Sequence, residues 1–136
     1  MIIDLCLPEN ARRDYPENSF TVIEHITRGL MGVQADAITN TVSTLPRLEE
    51  NSWAEMKELA VLSNIISVKH DTNTTTFTNL SGTPLTWRSC LPGIHDYLYV
   101  NGIKRKCDKV VDHGKSYSSL TSVVKTGEVM RVSVNR

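Results

Sequence analysis

From Ile65 onward the sequence is a series of short runs rich in Thr, Val, Tyr and Ile, and Gly, Pro, Asn or Asp punctuates most of the gaps. Seven runs stand out: Ile65 to His70, Thr74 to Leu80, Leu85 to Cys90, Tyr97 to Val100, Ile103 to Cys107, Tyr117 to Val124 and Glu128 to Val134. This punctuation confines the second half of the chain to an antiparallel β meander. The sharpest local signal is Asn101-Gly102 between Val100 and Ile103, which specifies a type I′ turn and a two-residue hairpin. That turn pairs Val100 with Ile103, Tyr99 with Lys104, Leu98 with Arg105 and Tyr97 with Lys106. Strand alternation then gathers Tyr97, Tyr99, Lys104 and Lys106 on one face.

The first half has a different texture. Met1 to Leu7 is a short apolar run closed by Pro8 and reads as a strand, and Pro8 to Asn18 reads as a loop. Ile23, Ile26, Leu30, Val33 and Ala37 follow helical spacing, with Ser19 as N-cap and a break near Met31 imposed by Gly29 and Gly32. Ser52-Trp53-Ala54-Glu55 has the form of a capping box and opens a second helical stripe of Trp53, Met56, Leu59 and Ala60. Trp53 and the apolar stripes are expected in the core. The expected fold class is α+β in a single domain, 1–136. A short N-terminal strand and two to three helices (1–63) precede an antiparallel β meander (64–136), as one sheet or a small sandwich. The helices or a second subunit would cover the open face of the sheet.

Composition narrows the classes. The 136 residues carry 15 basic and 15 acidic side chains, with 40% hydrophobic residues, which is a globular rather than a disordered balance. The neutrality hides a split: residues 1–60 hold five basic and ten acidic side chains, and residues 61–136 the reverse. No apolar run reaches the ~20 residues that a membrane-spanning helix needs. Met1 to Pro8 lacks the basic stretch and apolar core of a signal peptide, so the expected location is the cytoplasm or the inside of an assembled particle. Three cysteines, Cys6, Cys90 and Cys107, are then expected as reduced thiols. The sequons at Asn73-Thr74-Thr75 and Asn79-Leu80-Ser81 read as accidents of a Thr- and Asn-rich stretch. The motifs of P-loop hydrolases, Rossmann enzymes, α/β-hydrolases, zincins and EF-hands are absent from the sequence.

Three constellations carry chemistry. Tyr97 and Tyr99 beside Lys104 and Lys106 supply the stacking rings and ammonium groups that a single-stranded nucleic acid or a phosphate ligand requires. The plain alternative is a solvent-facing strand pair with cross-strand cation–π contacts. Cys90 and His95, with Cys107 and His113, offer four donors for zinc, but the spacing departs from that of structural zinc sites, so no metal and no cofactor is expected.

The third constellation is His25-Ile26-Thr27 and His70-Asp71-Thr72, two H-x-T motifs. Together with His25-Ile-Thr-Arg-Gly-Leu-Met-Gly32 and Leu7-Pro8-Glu9, they resemble the two-histidine phosphoesterases. The resemblance implies a phosphodiesterase in which His25 and His70 act as acid and base, and Thr27 and Thr72 hold phosphate oxygens. The helical stripe over residues 23–37 opposes it, because two residues apart on a helix is ~200° around the axis.

Ser, Thr and Asn together make up 35 of the 136 residues, a composition suited to exposed β surface and short loops rather than a deep cleft. The leading expectation is therefore a non-enzymatic structural or interaction protein that assembles with copies of itself into a homo-oligomer, as small virion or phage components do. A nucleic-acid- or phosphate-binding module ranks second and the phosphoesterase third. No membrane partner is expected.

Overall fold

The computed structural model describes the backbone of residues 2–5 and the whole of residues 24–136. Cys6, the Pro8–Asn18 loop, the Leu7-Pro8-Glu9 strand, Ser19 and Ile23 lie outside the described residues.

Inward-facing apolar side chains alternate with polar ones along most strands, and the chain answers by closing two sheets face to face. The larger holds seven strands in the order β1 (Ile2–Leu5), β4 (Ala54–Val61), β5 (Asn64–Asp71), β6 (Thr74–Ser81), β12 (Val129–Ser133), β8 (Tyr97–Val100) and β9 (Ile103–Lys106). The smaller holds five in the order β10 (Asp108–Asp112), β11 (Lys115–Val124), β7 (Leu85–Pro92), β3 (Thr41–Thr44) and β2 (Gln34–Asp36). Pairing is antiparallel except for β3 beside β7. Met56, Ile66, Val68, Phe77, Leu98 and Val132 from one sheet, and Val42, Leu85, Trp87, Leu91, Leu120 and Val124 from the other, form one buried cluster. Each such side chain contributes ~1.5–3 kcal/mol by leaving water. At the centre Phe77 stacks on Trp87 with centroids 4.8 Å apart, and the Trp87 indole N–H donates to Thr44 Oγ1 at 3.0 Å.

The α+β expectation is wrong. Strands make up 59% of the described residues, among which the only helix is a single π-helical turn, His25–Leu30. The stripe expected to be helical to Ala37 ends at Gly32, whose φ of 59° is left-handed, and the chain enters β2 two residues later. Residues 54–61 are strand β4, not a second helix. The reason is a β-bulge between Met56 and Leu59, where Glu58 takes a φ of 54°. The inserted residue puts two core-facing side chains three positions apart, which imitates helical spacing. Trp53, expected in the core, is 39% exposed, with the Lys69 ammonium 5.7 Å from its ring centre. The sheet face expected to lie under helices or a second subunit packs against the second sheet. Strands from residues 1–63 and 64–136 share both sheets.

The seven strand runs expected after Asn64 all fall on strands, in antiparallel β structure. The strand expected at the N-terminus is β1. β10, DKVVD, is a strand whose two apolar residues among charges gave no clear signal.

Candidate functional site

The hairpin has the register its turn dictates: Val100 pairs with Ile103, Tyr99 with Lys104, Leu98 with Arg105 and Tyr97 with Lys106. Asn101 and Gly102 take φ values of 49° and 80°, the two left-handed positions of a type I′ turn. The turn is also fastened sideways. Asn101 N–H donates to Arg131 O at 2.8 Å, and Arg131 N–H donates to Asn101 Oδ1 at 2.9 Å. These bonds set the tip against β12, in the interior of the seven-stranded sheet.

Leu98 and Val100 point inward and are buried, which turns Tyr97 and Tyr99 outward together with the exposed Lys104 and Lys106. The structure therefore brings the four residues onto one face. The Lys104 ammonium stands 4.2 Å from the centre of the Tyr97 ring, a diagonal cation–π contact that holds the lysine over the aromatic surface. Register also places Ser133 beside Tyr99, and Arg131, two residues earlier on β12, shares the outward side. Arg131 went unnoticed in the sequence because only the insertion of β12 beside β8 brings it to the hairpin. Acidic groups border the lower end. Asp96 pairs with Lys109 at 2.5 Å, which holds its carboxyl below the usual range, and Asp108 lies nearby. The net positive field is thus concentrated at Lys104, Lys106 and Arg131.

The H-x-T residues occupy unlike surroundings. His25 begins the helical turn and is exposed, and Thr27 is partly buried in the same turn. Thr72 sits exposed in the β5–β6 turn. His70 on β5 is fully buried. Its Nε2 lies 2.8 Å from Met31 O and its Nδ1 2.8 Å from Thr75 Oγ1. A carbonyl only accepts, so Nε2 carries the proton and Nδ1 accepts from the threonine. Burial pushes the imidazole down to about 4, so it is neutral at pH 7. Nε2 ties the end of the helical turn to the sheet and Nδ1 bonds the neighbouring strand β6, so both ring nitrogens are engaged and neither is left for a phosphodiester.

The Cys/His set is likewise dispersed into other contacts. Cys107 Sγ donates to the backbone oxygen of His95 at 3.2 Å, His95 Nε2 lies 3.1 Å from Pro92 O, and His113 Nδ1 lies 2.6 Å from Asp112. Cys90 and Cys107 are free and buried. Among the described residues no three His, Cys, Asp or Glu side chains cluster as a metal site. Of the sequons, Asn73 lies in an exposed turn. Asn79 is fully buried, its Nδ2 donating to Thr83 O at 3.0 Å and Val124 O at 3.2 Å. No helix among the described residues is long and apolar enough to cross a membrane.

The fold defines a two-sheet β-sandwich protein. No protein-family model matches the sequence, and no curated protein does. Among solved structures it is similar to a GH127 β-L-arabinofuranosidase from Geobacillus stearothermophilus T6, with a TM-score of 0.46 and 14% identity. That match covers 87% of this chain but only 18% of the enzyme.

Proposed function

We propose that the protein is a non-enzymatic interaction module whose working surface is the Tyr97, Tyr99, Lys104 and Lys106 face, and that its partner is a polyanion, single-stranded nucleic acid first. The observation that supports this reading is the placement of two outward tyrosines and two lysines on one rigid hairpin, with Arg131 alongside. Aromatic faces stack on bases without regard to sequence, and ammonium groups track the backbone phosphates. Fluorescence anisotropy with a labelled single-stranded oligonucleotide tests it. With three cations engaged, log K should fall against log salt with a slope of about −2. The double variant Lys104→Glu with Lys106→Glu should abolish binding. No binding by the wild type at low salt, or undiminished binding by the variant, would refute the proposal.

A second reading is self-assembly into a homo-oligomer as a structural component, such as part of a small virion. It draws support from the β2 edge of the five-stranded sheet. Among the described residues β2 pairs only with β3 and carries Asp36 alone as a charge, and Ile38 beside it is 96% exposed. The opposite sheet's edge strand β9, Ile-Lys-Arg-Lys, is by contrast charged in the manner that discourages edge-to-edge pairing. Light scattering at low and high salt tests this reading. A defined multiple of 15.2 kDa that survives high salt supports assembly, and a monomer refutes it.

A further inference from the structure

The outer face of the five-stranded sheet, away from the hairpin, holds a hollow of about 140 Å³. Gly32, Leu45 and Cys90 line its apolar part. Three polar side chains descend from one row across neighbouring strands: Gln34 pairs with Ser43, and Ser43 with Arg88. Arg47 and Tyr117 line it as well.

The two arginines are in different states. Arg47 is fixed, because its Nη1 donates to the backbone oxygens of Arg28 at 2.8 Å and Gly29 at 3.1 Å. Its Nε and Nη2 donors remain unspent by those bonds. Arg88 is partly buried, and its guanidinium makes no hydrogen bond or ion pair with the other described residues. Its guanidinium nitrogens keep contact with solvent, so their five donors are available to an arriving acceptor. The lining offers one carboxylate, Asp112, which is already bonded to His113 Nδ1 at 2.6 Å. Burial pushes the Cys90 thiol up, so Cys90 stays neutral and presents no charge against an anion. The guanidinium fork matches an oxyanion in geometry as well as in charge.

We propose that this hollow binds one tetrahedral oxyanion, a phosphate or sulfate group, held by Arg88 and Arg47 with Ser43, Gln34 and Tyr117 as further donors. At about 140 Å³ the hollow is small, which suits a single phosphoryl or sulfuryl group. The group is either a free ion or the end of a larger molecule whose remainder projects into solvent.

Calorimetric titration of the full chain at constant ionic strength, with inorganic phosphate and then with sulfate, tests the proposal. The wild type should show saturable binding at one site. Arg88→Gln should weaken it about tenfold or more, the loss expected for one charge-assisted bidentate contact. Ser43→Leu, which fills the hollow without removing a charge, should weaken it as well. Urea midpoints like that of the wild type establish that both variants fold. The double variant Lys104→Glu with Lys106→Glu should bind phosphate as the wild type does, which separates this site from the hairpin. Absence of saturable binding, wild-type affinity in Arg88→Gln, or loss of binding in the hairpin variant would each overturn the proposal.

Discussion

Lowering the pH from about 7.5 to about 5 should destabilise the protein through His70. In the unfolded chain this imidazole titrates near 6.5, and in the folded protein burial pushes it down to about 4. Between those values the unfolded chain binds a proton that the folded protein refuses, so stability falls as pH falls. The contribution is whole above pH ~6.5, erodes as pH drops through that value, and has been lost once pH passes below ~4. The full difference is about 3 kcal/mol, of which about 2 kcal/mol is gone by pH ~5. The structure supplies the cause: protonation places a second N–H against Thr75 Oγ1 inside a fully buried pocket. With a urea slope of ~2 kcal/mol per molar, the midpoint should move down by about 1 M between the two pH values. Tryptophan fluorescence follows the transition, since Trp87 sits at the centre of the sandwich. In His70→Gln the pH dependence across this window should flatten, and a direct NMR titration of the folded wild type should place the ring well below 6. An unchanged wild-type midpoint at the two pH values, or a His70 ring that titrates near 6.5 in the folded protein, would refute the reasoning.

Other perturbations test the packing and the turns. Phe77→Ala removes one ring of the central stack and should cost ~3–5 kcal/mol in urea unfolding, with a matching fall in the thermal midpoint. Thr44→Val keeps the shape but strands the Trp87 indole N–H, and should cost ~1–3 kcal/mol by the same assay. Gly32→Ala combines a left-handed φ of 59° with a Cβ driven into the Leu45 carbonyl, so a loss of ~3 kcal/mol or more is expected from thermal denaturation. Gly102→Ala strains only the hairpin tip, where a Cβ meets nothing. It should cost ~1 kcal/mol, visible as faster amide exchange in β8 and β9 but little change elsewhere.

The hairpin was legible because its information is local. Two residues, Asn101 and Gly102, fix the turn, the turn fixes the register, and the register fixes which side chains share a face. The helices were misread because the evidence for them was also local and tertiary structure outweighed it. Met56 and Leu59 are core residues separated by a bulge, and a bulge leaves no mark in a single sequence beyond a spacing of three. Ile26 and Leu30 do pack on the core from a helical turn, but Gly32 redirects the chain before the stripe can continue. Arg131 and the Arg47–Arg88 hollow could not be found from spacing at all. Arg88 meets Ser43 through a parallel pairing across 45 positions, and such neighbours are set by the order of strands in the sheet, not by any motif.

The position of β12 sets the timing of assembly. This last strand lies between β6 and β8, within the seven-stranded sheet. Until Val129–Ser133 emerges from the ribosome, β6 has an unpaired flank, and the β8–β9 hairpin has no sheet to join. A nascent chain of more than a hundred residues must therefore wait with its core exposed, and closure comes as one late event rather than strand by strand. A cell making this protein at high rate would depend on chaperones or slow synthesis during that wait. Truncation just before Val129 should yield aggregate rather than a smaller folded protein.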